Sequence, residues 1–162
     1  MKGLLLNETG YVTYPAKIFA TIKPYIESLN WRISNVECNK QNAYDLDIES
    51  TDGVWINGKE LMKQFEAHPD VQWIWGLLSG YPKDIPFDKI CGHLPIDIQT
   101  QKTIPIWNNP IHTIEPLAVA ELFAFDSLKT YFVSDNEDVL EELKREYPNS
   151  VNLEKENMAN ER

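Results

Sequence analysis

Asp45, Asp47 and Glu49 alternate with Tyr44, Leu46 and Ile48 in the stretch AYDLDIES. On an extended strand this spacing sets the carboxylates in one row and the apolar side chains on the opposite side. A row of carboxylates offers two chemistries, cation binding and attraction of a basic protein. Hard divalent cations need oxygen ligands that converge on a point, whereas side chains at i and i+2 of a strand stand ~7 Å apart. The row therefore predicts a solvated face or a docking surface for a basic partner ahead of a metal site.

A second set of polar residues lies in the proline-punctuated stretch 83–116, which holds Pro86, Pro95, Pro105, Pro110 and Pro116. His93, His112 and Glu115 could supply the polar groups of a small-molecule site or a hydrolase, and long ordered loops often carry function. Cys91 and His93 have a C-x-H spacing. Zinc needs at least three protein ligands, and Cys38, His68 and His112 stand in no recognisable pair spacing, so neither a metal nor a cofactor is expected. A Cys91–His93 nucleophile pair lacks an orienting group on another element. The glycines of GLLSG are spaced differently from the G-x-S-x-G elbow around Ser79, and no phosphate-binding glycine loop occurs. His68 closes a helix, where a cation complements the negative end of the dipole. Trp55 and Trp107 sit beside the turn signals NG and NNP and are the candidates for exposed aromatics at an interaction surface. Nothing in this inventory amounts to a catalytic signature, and the expectation is a protein that is not an enzyme.

Composition narrows the partners. The 162 residues carry 15 basic and 25 acidic side chains, a net charge of −10, with no basic cluster interleaved with aromatics. Nucleic-acid binding is thereby disfavoured and a basic protein partner favoured. No apolar stretch approaches the about 18 residues of a membrane span, and MKGLLLN has too short an apolar run for a secretory signal. A cytoplasmic location is expected, with Cys38 and Cys91 as free thiols.

The elements that would position these residues follow from periodicity. MKGLLLN reads as a strand, and Pro15 opens a helix that Pro24 should end, leaving an irregular turn to Asn30. WRISNVEC reads as a strand with a bulge near Ser34 and Asn35, and it should form a hairpin with AYDLDIES through the turn-prone NKQN. Asn57 and Glu60 have the spacing of a capping box ahead of a helix carrying Leu61, Met62 and Phe65. In HPDVQWIWGLLSGYP, alternation places Val71, Trp73 and Trp75 on one side of a strand, as a sheet face under helices. LAVAELFAFD and KTYFVSD make a second hairpin around Asp126–Leu128. Ser134 and Glu137 read as a capping box for a last helix that buries Val139, Leu140 and Leu143. The sum is an α+β fold, a mainly antiparallel sheet with about three helices on one face, in a single domain over 1–148 followed by a polar, frayed tail over 149–162.

The segments NWRIS, VWINGKELMKQF, WGLLSGYP, ELFAFDSLKTYFVS and REYPNSVNLEKEN together resemble an uncharacterised family of small proteins from Gram-positive spore-forming bacteria. In style, the small acidic chain is also similar to the immunity proteins encoded beside polymorphic toxins. That second resemblance implies a non-enzymatic protein that neutralises a toxin by occluding its active site; charge and turn position make Asp45, Asp47, Glu49, Trp55 and Trp107 the expected contact residues.

Overall fold

A computed structural model describes residues 1–7, 10, 12–50, 52–90, 92, 95–100 and 104–160. Its centre is a seven-stranded antiparallel sheet: β1 Lys2–Leu6, β2 Leu29–Cys38, β3 Val54–Asn57, β4 Trp73–Pro82, β5 Ala120–Phe125, β6 Lys129–Ser134 and β7 Val151–Asn152. Their order across the sheet is β3-β2-β4-β5-β6-β1-β7. Among the described residues six helices accompany it, α1 Pro15–Thr21, α2 Lys23–Ser28, α3 Gly58–Ala67, α4 Phe87–Ile90, α5 Glu137–Glu146 and α6 Leu153–Asn160. The α+β class is as expected, with twice the helices.

Side-chain alternation along the strands gives each face its own core. Leu4, Leu6, Trp31, Ile33, Ile56, Leu78, Leu122 and Phe132 point to one face, where Ile18, Phe19, Ile26, Leu61, Met62, Phe65, Leu140 and Leu143 from α1, α2, α3 and α5 cover them. Leu5, Leu77, Phe123, Tyr131 and Val133 point to the other, which is covered by α6 and by the proline-rich chain. Helices on a single face were expected; α6 and the short α4 break that expectation. Pro24 does end the first helix, yet it also occupies a first-turn position of α2, where its missing N–H costs nothing.

Bulges decide which face each tryptophan meets. Between Ser34↔Leu77 and Glu37↔Trp75, β2 has one more residue than β4, at Asn35, whose φ is 56°. This is the bulge predicted near Ser34 and Asn35. Between Trp75 and Trp73 the extra residue is Ile74 on β4, since their partners Glu37 and Cys38 are adjacent. The strand changes phase there. Trp73 is fully buried in the helix-side core, while Trp75 is half-buried on the other face. Both had been expected on one side. Trp73 lies over Gly76, where an added Cβ would come within 2.2 Å of the indole.

Three further expectations are corrected. Residues 44–49 are not a strand, because β2 takes β3 and β4 as its partners, and the backbone of 44–50 closes turns through Ile48 N–H to Leu46 O and Ser50 N–H to Asp47 O. The alternate burial of Tyr44 and Ile48 arises from a loop laid against α3, with Tyr44 5.6 Å from the Phe65 ring. The segment after 148 does not fray as far as Asn160: β7 pairs with β1, and Leu153 of α6 is fully buried against Gly3 and Val133. The cap of α5 is Asn136, accepting from the N–H groups of Asp138 and Val139, in place of Ser134. Glu137 instead pairs with Lys2 at 2.8 Å. The Asn57 cap of α3 accepts from Glu60 N–H as expected, and β5 and β6 pair around Asp126 and Ser127, both at positive φ.

Candidate functional site

The loop 42–49 is held from both sides. Tyr44 and Ile48 are inserted into the helix-side core, and Gln64 of α3 accepts the Asp45 N–H through its side chain at 3.1 Å. Tyr44 Oη accepts from Trp73 Nε1 at 3.3 Å, and burial pushes the phenol up to about 12. With the apolar alternates fixed, Asp45, Asp47 and Glu49 are displayed in solvent around a concavity of about 290 Å³, which Cys38, Asn42 and Leu46 also line. The three acidic residues are thus brought together, by a loop where a strand was expected. Cys38 is a free thiol raised by burial, with the Glu49 and Glu37 carboxylates acting in the same direction. A thiol so placed is a poor nucleophile at neutral pH. Among the described residues no group of three His, Cys, Asp or Glu could hold a metal ion.

Trp107 belongs to a different site on the other face. It lies 5.4 Å from Phe125 and 6.3 Å from Tyr131, and Trp75 flanks the cluster 4.7 Å from Phe125. Trp107, Phe125 and Tyr131 line a groove of about 350 Å³ with Lys129 from β6 and Glu156 and Asn160 from α6. Trp55 is elsewhere again, on edge strand β3, half-buried between Tyr81 at 5.6 Å and the exposed Phe87 at 5.0 Å. The acidic loop and the two tryptophans expected to act with it are therefore three separate places.

The alternative set does not assemble among the described residues. His93, like Cys91, falls outside them. His112 is exposed, Glu115 is fully buried, and neither lines the acidic concavity or the aromatic groove. Glu115 instead joins a polar group inside the second face. Arg32, Ser79 and Glu121 are register partners in one row across β2, β4 and β5, and all are buried. Glu115 from the proline-rich chain comes down on this row, its Oε2 3.7 Å from an Arg32 guanidinium nitrogen. Glu121 accepts from Ser79 Oγ at 3.0 Å, from Ile114 N–H at 2.6 Å and from Glu115 N–H at 2.8 Å. Glu115 in turn accepts the N–H of Ile96 at 3.0 Å.

These contacts have a common purpose. The chain over 95–100 and 104–118 has two short 3₁₀ turns and no strand, so its enclosed backbone groups need partners from elsewhere. Side chains of the regular elements supply them: Glu121 as above, Asn35 to Ile96 O and from Ile98 N–H, and Asn157 of α6 to Ile106 O at 3.0 Å. The proline-rich chain is a strap sewn to the sheet by buried polar side chains. Arg32, Ser79 and Glu121 were overlooked as a group in the sequence. Their signal was polar residues at strand positions whose neighbours are almost all apolar, in WRIS, LLSGY and AELFAF.

Burial acts on Glu121 most strongly. Removal from water pushes its carboxyl up to about 8, with the neighbouring Glu115 carboxylate adding to the rise; the two backbone N–H groups and the Ser79 hydroxyl oppose it. Burial favours the neutral acid, while the three donors from which its oxygens accept favour the carboxylate. Fully enclosed, it has no route to a substrate, and its role is within the fold.

No helix among the described residues is long and apolar enough to cross a membrane. Comparison of the chain with protein-family models, with curated proteins and with solved structures gave no match in any of the three.

Proposed function

We propose that this chain is a non-enzymatic, acidic protein-binding domain that covers a basic surface of its partner with the loop bearing Asp45, Asp47 and Glu49, in the manner of an immunity protein occluding a toxin. The observation that carries this reading is the presentation of three exposed carboxylates around one concavity by a loop anchored through Tyr44 and Ile48. A net charge of −10 supports it by steering a basic partner from a distance. Anchoring matters because a loop already fixed in place loses little conformational entropy when it docks. Trp55, with Phe87 beside it, and Trp107 are candidates for separate contacts at the edge and on the opposite face.

The test is capture from the native host with the intact chain as bait, followed by association kinetics. A basic protein should be retained, its association rate should fall steeply with salt, and D45N/D47N/E49Q should weaken binding at least tenfold. Equal binding by that triple variant, or the absence of any basic protein among those retained, would remove the reading.

A second reading, a small-molecule-binding module, is favoured by the groove of Trp107, Phe125 and Tyr131 with Lys129 and Glu156 at its polar boundary. Its volume of about 350 Å³ is in the lower range of ligand sites. Quenching of Trp107 fluorescence by members of a fragment library, lost in W107F, would support it; a library with no quencher would not.

A further inference from the structure

We propose that the groove lined by Trp107, Phe125 and Tyr131 takes a zwitterion of the ω-amino acid class, an aliphatic chain with an ammonium at one end and a carboxylate at the other. This inference rests on the small-molecule reading of the groove and names its ligand class.

Three elements build the groove. Alternation along β6 sets Lys129, Tyr131 and Val133 on one face, and the register places Phe125 of β5 across from Lys129. The 3₁₀ turn Pro105–Trp107 of the strap brings the indole to these side chains, and α6 closes the side with Leu153, Glu156 and Asn157 at helical spacing. The rings are inclined to one another, Trp107 and Phe125 at 83°, Phe125 and Tyr131 at 82°, Trp107 and Tyr131 at 62°. Rings so inclined form walls rather than a stack, and aromatic faces suit methylene groups and an ammonium alike.

The charges select the ligand. Lys129 and Glu156 line the same groove from different elements, yet among the described residues neither forms an ion pair, with the other or with any third residue. A simple cation would meet Lys129 and a simple anion would meet Glu156, whereas a ligand carrying both signs satisfies both. Asn157 adds a fixed acceptor. It is 3% exposed, and its NH2 donates to Ile106 O at 3.0 Å and to Asn109 Oδ1 at 3.5 Å. Its own Oδ1 accepts no hydrogen bond among the described residues, which leaves that oxygen to an ammonium. The ammonium accordingly sits by Glu156 and Asn157, the methylenes lie along the three rings, and the carboxylate meets Lys129, whose flexible stem lets it close on the chain.

NMR titration of the full chain, read at the Trp107 indole N–H, tests this with four probes of one body: 6-aminohexanoate, hexylamine, hexanoate and hexanol. The zwitterion should bind saturably, at least about tenfold more tightly than each of the others. E156Q should weaken 6-aminohexanoate about tenfold without weakening hexanoate, and K129Q should weaken it about tenfold without weakening hexylamine. Homologues from 4-aminobutanoate to 8-aminooctanoate are run alongside, so that chain length does not decide the result. Equal affinity for hexanol and every ω-amino acid, or full-strength zwitterion binding in both variants, overturns the zwitterion while the groove remains a small-molecule site. If no ω-amino acid shifts the Trp107 resonance, the inference falls, and the fragment screen alone decides the broader reading.

Discussion

The same functional group does opposite work in two regions of this molecule. Around loop 42–49, Asp45, Asp47 and Glu49 stand in water, held by the buried side chains between them. Beneath the strap, Glu115 and Glu121 are fully enclosed and spend their oxygens on Arg32, Ser79 and backbone N–H groups. The exposed set contributes little to stability because solvent screens it. The enclosed set cannot meet a partner. Position relative to water, rather than residue type, separates carboxylates available for recognition from carboxylates that organise a fold.

The comparison breaks most visibly at Glu115. E115A leaves the Arg32 guanidinium without this counter-ion and the Ile96 N–H without its acceptor, and should cost about 3–5 kcal/mol in denaturant unfolding. A loss below about 1 kcal/mol would mean that the enclosed set is not holding the strap. Next in size is the pH response. Because burial raises the folded value of Glu121 to about 8, the stability it contributes is present in full below its ordinary value of 4.5 and is lost as pH rises toward 8. Relative to E121Q, the wild type should therefore lose stability steadily from pH 5 to pH 8, as read by thermal unfolding. Parallel curves for the two proteins would contradict the assignment.

Smallest is the effect of the exposed set on the fold. D45N/D47N/E49Q should alter unfolding free energy by no more than about 0.5 kcal/mol, a gain being expected from relief of like-charge repulsion. A loss of several kcal/mol would show that these carboxylates belong to the structure after all. On the same scale, F87A should be nearly silent in stability, since Phe87 is largely exposed.

The sequence made the burial pattern of both regions readable and left their backbone partners hidden. Tyr44 and Ile48 do point inward and the acidic residues outward, yet alternation alone cannot distinguish a strand from a loop draped on α3, because the hydrogen-bond partners that decide it lie far along the chain. The β5–β6 hairpin and the bulge at Asn35 were legible because their causes are local, a tight turn and a break in alternation. The bulge at Ile74 was not, since an apolar residue can face either way in WIWGLL, and it moved Trp75 to the opposite core. The C-terminal segment looked frayed because only Leu153 and Asn157 of α6 are inserted, one apolar anchor and one amide on an otherwise polar helix. Glu121 was visible as a carboxylate flanked by apolar residues; that Glu115 would be lowered onto it from the strap was not.

Whether the exposed acidic loop is the recognition surface is decided by stopped-flow association of the wild type and D45N/D47N/E49Q with the captured basic partner across a salt series. The wild-type rate should fall steeply with ionic strength, and the variant should associate more slowly with a flatter profile. Superimposable salt profiles for the two proteins would contradict it.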